Sequence, residues 1–214
     1  MINVRYRHPD GRSGKLIATI ARNALIRFSS YAARHLLPNT QTRNFGIITD
    51  APTAAVIHIL DWMKSQATAL PPAPLPCPET FEEAVWVHQV GKAMGLFFEM
   101  RGEGVRDAIR EYIAAAPLTA AEFAMVFEVL EFDWGLQKVV LREVRWRYRE
   151  RGRKRGVPEY AEIMEFCGRA GIKVWEGMEE PVWLEEGGEG VAGDWEISEG
   201  RAGIYAVENV DWEE

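Results

Sequence analysis

The chain has few of the residues that small domains use as staples or catalysts. Its 214 residues include two cysteines and four histidines. Cys77 and Cys167 lie far apart with no CxxC spacing. That excludes a disulfide framework or a thiolate zinc site and fits a reducing compartment. His8, His35, His58 and His88 fall on separate elements with no carboxylate at metal-ligand spacing, so each reads as a packed or surface histidine. No apolar run approaches the ~18 residues of a membrane span. The N-terminal "MINVRYRHPDG" lacks the apolar stretch of a secretory signal. A nuclear or cytoplasmic protein with no membrane partner is therefore expected. There is no G-x-S-x-G elbow and no H-E-x-x-H. "GEGVAG", residues 188–193, has the letters of a dinucleotide loop. No strand-to-helix pattern surrounds it, and its carboxylate neighbours would repel a pyrophosphate. "GRSGK", residues 11–15, is too short for a phosphate loop and reads as a hairpin turn. No catalytic residue, cofactor or metal is expected.

What is present is apolar mass and an uneven distribution of charge. With 47% apolar residues and eight Trp the chain can bury a sizeable core. Its net charge of −7 argues against a general polyanion binder. Residues 176–214 carry 13 acids against one base, which leaves 24 bases against 19 acids in residues 1–175. A mildly basic body thus carries a strongly acidic tail. The tail also holds Trp183, Leu184, Trp195, Ile197, Ile204, Tyr205, Val207 and Trp212. Solubilising acidic tails are poor in aromatics, so this one is expected to dock on its own body or on a partner. The opposite pole is "EVRWRYRERGRKRG", residues 143–156, where seven of fourteen residues are Arg or Lys.

Periodicity places the elements. Ile2, Val4 and Tyr6 alternate with polar residues, "HPDGRSG" supplies a turn and "KLIATIA" a second apolar run, so residues 2–20 read as a hairpin. From Arg22, the positions Leu25, Phe28, Tyr31, Ala32 and Leu36 predict one helix that stops before Pro38. "FGIIT", residues 45–49, predicts a third strand. Asp50 or Thr53 is expected to cap the next helix, with Val56, Ile57, Leu60 and Met63 buried. "LPPAPLPCP", residues 70–78, holds five prolines and reads as a semi-rigid connector. Beyond it the pattern is helical throughout. Thr80 with Glu83 and Thr119 with Glu122 are capping boxes. A helix from about Glu103 to Ala116 points Val105, Ile109, Tyr112 and Ile113 inward. A longer one starts near Gly135, with Leu136, Val140, Val144 and Tyr148 as its stripe, and is expected to end at Gly152. A last helix has Pro158 in its first turn and Gly168 or Gly171 past its end.

Three stretches give this order a likeness. "ATIARNALIRFSSYAARHL", "FGIITDAPTAAVIHILDWM" and "FEEAVWVHQVGKAMGLFFEMRGEGVRDAIREYI" resemble successive segments of the BTB/POZ domain family. Ser29 and Tyr31 match the family pattern, while Ala21 and Ala32 replace its His and Phe. The resemblance covers residues 1–116 and implies an α+β fold, a three-stranded sheet with helices. Residues 117–175 would then be a helical extension and 176–214 the acidic, aromatic-containing tail. It also implies a non-catalytic protein–protein interaction adaptor or scaffold subunit, which in this family is commonly a homodimer.

Two binding surfaces follow as expectations. In the adaptor reading, Trp183, Trp195, Tyr205 and Trp212 of the tail meet a basic face or a protein partner. That basic face comprises Lys138, Arg142, Arg145 and Arg149, spaced by four, three and four, with Arg153, Lys154 and Arg155 beyond it. In the alternative, the basic helix 138–155, Arg147 included, binds nucleic-acid phosphates with salt-dependent, sequence-independent affinity.

Overall fold

A computed structural model of the chain describes residues 1–10, 15–96, 98–131, 133–150 and 159–174, with backbone only for 98–103 and 150. The fold is α+β, a three-stranded mixed sheet with eight helices among the described residues. Strand β1 (Ile2–Arg7) pairs antiparallel with β2 (Lys15–Ile20) and parallel with β3 (Asn44–Ile48), giving the order β2-β1-β3. The pairing of β1 with β2 shifts register between Val4 and Arg5, where Ile17 is the extra residue on β2. Ile2 and Val4 are buried, and the Tyr6 hydroxyl donates to the Ala51 carbonyl at 3.0 Å. The hairpin and the third strand expected from sequence are present; the "GRSG" turn lies outside the described residues.

The single helix expected from Arg22 is in fact two, α1 (Arg22–Phe28) and α2 (Ser30–Leu36). Ser29 between them is extended, with φ −121° and ψ 114°. Its buried Oγ caps α2 by accepting from Ala32 N at 2.9 Å and donates to Met94 O at 2.6 Å. Ser30 bonds the Gly95 carbonyl through both its N–H and its Oγ. The break is therefore imposed by the far end of another helix, a non-local cause that periodicity does not register. Gly95 has φ +60°, and a Cβ there would meet Ser30 Oγ at 2.4 Å, so the close approach requires glycine.

Helix α3 (Thr53–Ser65) starts after Pro52, with neither Asp50 nor Thr53 as a side-chain cap. Proline pre-sets the helical entry without needing a donor. Its buried face is Ala55, Val56, Ile59, Leu60, Trp62 and Met63; Ile57, expected inside, is 38% exposed. The stripe is simply centred one position away from the expected one. The proline-rich segment straps back over α3. Trp62 Nε1 donates to Ala73 O at 3.0 Å, Ala73 N donates to Gln66 Oε1 at 2.8 Å, and Leu75 is buried. Those anchors make it a structural connector.

Helices α4 (Phe81–Ala93) and α5 (Phe98–Ala115) pack as a pair, and α4 also contacts α3 and α6 (Ala120–Val129). Thr80 caps α4 by accepting from Glu83 N, and Thr119 with Glu122 closes a complete capping box on α6. Helix α5 begins before the expected Glu103. Tyr112, expected inward, is 39% exposed; it stacks on Phe81 and donates to Glu122 at 2.8 Å. The remaining helices are α7 (Trp134–Glu150) and α8 (Tyr160–Ala170). Phe123, Phe127 and Phe166 join α6 to α8, and Gly171 ends α8 with φ +68°. The expected roles of Gly152 and Pro158 lie outside the described residues.

Candidate interaction surface on helix α7

Helix α7 is fixed at its start by a buried acid. Asp133 Oδ1 accepts from Leu136 N at 3.0 Å, capping the helix. The same carboxylate accepts a two-pronged bond from Arg106 of α5, Nε to Oδ2 and Nη2 to Oδ1, each 2.9 Å. His88 Nε2 of α4 lies 3.0 Å from Oδ2, and both the His88 and Asp133 side chains are 10% exposed. Burial alone would raise the Asp133 pKa. The bonds from Arg106, His88 and Leu136 N–H, with the Arg106 charge, outweigh it and hold the carboxyl well below the usual carboxylate range. The bond to Asp133 likewise raises the Arg106 pKa. Gly135 keeps the cluster open, since a Cβ there would meet Arg106 Nη2 at 2.4 Å. Three elements converge on one carboxylate, and α7 is locked to α4 and α5 at that point.

Sequence reasoning missed this cluster. His88 was expected to be packed, but its partner lies 45 residues away. The available signal was Asp133 standing three residues before Leu136, an N-cap spacing.

Along α7, Leu136, Val140 and Val144 are buried as expected. Tyr148 is partly buried and stacks on Tyr160 of α8 at 4.6 Å. Arg147 is a correction to the alternative reading, which counted it among the cations of the basic helix 138–155. It is 3% exposed and donates to Ile113 O at 3.2 Å and Ala114 O at 2.8 Å, the last carbonyls of α5. Carbonyls at a helix C-terminus lack intrahelical donors and carry partial negative charge, so a guanidinium there satisfies both deficits. Glu143 Oε2 lies 3.8 Å from Arg147 Nε. The spacing 136, 140, 144, 147 puts Arg147 on the buried ridge, a signal available in the sequence. Arg145 turns the other way and bonds the Val174 and Lys173 carbonyls just past α8.

What remains outward is a mixed face. Trp134 is 60% exposed and Trp146 46%, while Lys138, Arg142 and Arg149 are exposed. Lys138 Nζ lies 5.6 Å from the Trp134 ring centre, within cation–π range. Of the predicted partner-binding residues, the structure thus brings Arg142, Arg145 and Arg149 onto one side of one helix. Arg153, Lys154, Arg155, Trp183, Trp195, Tyr205 and Trp212 lie outside the described residues.

Other features offer less. An open groove of about 450 Å³ lies between α3 and the proline strap, but several of its polar groups are already engaged, His58 with Pro76 O among them. Among the described residues no group of three or more His, Cys, Asp or Glu is placed to hold a metal ion. No described helix is long and apolar enough to cross a membrane. No family model, curated protein or solved structure matches the chain.

Proposed function

We propose that the chain is a non-catalytic adaptor or scaffold subunit of a larger complex, of the BTB/POZ type, and that the outward face of α7 docks an acidic, aromatic-containing segment. The observation that carries this is the composition of that face. Trp and cationic side chains are the residues that anchor protein interfaces, and here Trp134, Lys138, Arg142 and Trp146 stand outward on a helix locked at its base. A rigid support lowers the ordering cost of binding. The family reading rests on the sequence resemblance of residues 1–116.

The test is a charge reversal in the full chain, Lys138→Glu with Arg142→Glu. The parent should retain a stoichiometric protein partner in affinity capture from nuclear and cytoplasmic extracts, and the reversal should lose it with unchanged circular dichroism. Equal capture by both proteins would sink the proposed surface. The second reading, nucleic-acid phosphate binding through the same face, draws on the same cations. Retention of a duplex at low salt, lost on raising salt, would favour it.

A further inference from the structure

We propose that the occupant of the α7 face is the chain's own residues 176–214, which act in cis as a mask that an acidic partner or a polyanion must displace. This rests on the docking reading above and adds the identity of the resting occupant and the regulation it creates.

The described chain ends beside α7. Val174 is its last residue, and Arg145 of α7 holds the carbonyls of Val174 and Lys173. The described chain therefore ends against α7 at Arg145, three residues along the helix from Arg142 and four from Arg149. Helix α7 has 17 residues and is roughly 25 Å long. A segment of 39 residues has a contour many times that length, so geometry allows it to reach every cation on the face. Its 13 acids against one base meet exposed Lys138 and Arg142. Trp183, Trp195 and Trp212 supply apolar partners for Trp134 and Trp146. A tether converts the contact into an intramolecular one, with an effective concentration on the order of 1 mM. A free acidic segment must compete with that value, so the tail sets a threshold that weak polyanions do not pass. The net charge of −7 is then partly charge held against the body.

Zero-length carbodiimide cross-linking of the intact chain tests this, because it joins Lys138 only to carboxylates in direct contact. An equimolar mixture of isotope-labelled and unlabelled protein separates bonds within one chain from bonds between two. The expected result is Lys138 joined to tail carboxylates within single chains, falling roughly ten-fold or more between low salt and 1 M salt. Bonds found only between chains would overturn the cis mask in favour of a second copy. Absence of any Lys138–tail bond would also overturn it. A synthetic peptide of residues 176–214 added to the intact chain then separates the two claims. If it cross-links to Lys138, the docking face survives and only the cis occupant falls; if it does not, both fall.

Discussion

The N-terminal body and helix α7 use arginine for the same job, and they differ in what is left over. In the body, Arg22 bonds the carbonyls of Leu36, Asn39 and Thr42 behind α2. Arg27 bonds those of Gln66, Ala67 and Ala69 behind α3. On α7, Arg147 does this for α5 and Arg145 for the segment after α8. The five donors of a guanidinium fork suit it to gathering carbonyls that a finished helix turn cannot satisfy. On α7, however, Lys138, Arg142 and Arg149 remain outward beside the exposed Trp134 and Trp146. A high density of arginine does not by itself mark a binding surface. What sets α7 apart is that its exposed cations share one helix with two exposed tryptophans.

The largest expected break in this comparison is at the base of α7. Asp133→Ala removes the acceptor shared by Arg106, His88 and Leu136 N, leaving two cationic or polar side chains without it. The expected loss is about 3 kcal/mol in urea unfolding, with all three helices affected together. The pH dependence has a definite sign. The Asp133 pKa is depressed in the fold, so its stabilisation is present in full above the unfolded value of about 4 and fades as pH falls below it. The gap between parent and Asp133→Asn should therefore be constant near neutrality and narrow in acid; a gap that widens in acid would contradict the assignment.

Next in size is the contrast within the helix. Arg147→Ala leaves the Ile113 and Ala114 carbonyls short of a donor in a buried setting and should cost about 2 kcal/mol. Arg142→Ala, 59% exposed at its side chain, should stay within about 0.5 kcal/mol. Arg147→Lys should not restore stability, since an ammonium is a compact point charge without the fork. Equal costs for the two alanine variants would erase the distinction between inward and outward arginines.

The smallest pair sharpens the local geometry. Gly135→Ala sets a Cβ against Arg106 Nη2 and should destabilise by about 1 kcal/mol despite alanine's helical preference. Gly104→Ala in α5 meets nothing within 4 Å and should stabilise by up to about 1 kcal/mol. Thermal melts of the two variants should move in opposite directions.

Local physics accounts for the parts of this fold that the sequence made readable. The hairpin, β3, the Thr119–Glu122 box and the buried ridge of α7 each depend on residues within a few positions of one another. The division between α1 and α2 was not readable, because Ser29 is held extended by its bond to Met94 and the start of α2 is pinned by Ser30 bonding Gly95, each some 65 residues on. The Asp133 cluster draws on three helices, and no short window contains it. Arg147 was readable in principle, since its spacing from Val144 declares its side of the helix. The number of surrounding arginines outweighed that spacing only in the alternative reading of a phosphate-binding helix 138–155.

The strand order has a consequence for how the chain is made. Residues 2–7 leave the ribosome before the other two strands yet form the middle of the sheet, flanked by β2 on one side and β3 on the other. β2 follows within a few residues and can close a hairpin at once. The second edge of β1 must wait until Asn44–Ile48 has been synthesised, with α1 and α2 emerging in between. During that interval β1 presents an unpaired edge. A nascent chain stalled between residues 20 and 44 would hold a two-stranded ribbon, and release of the stall would convert that ribbon into a sheet by adding one parallel strand to its older side.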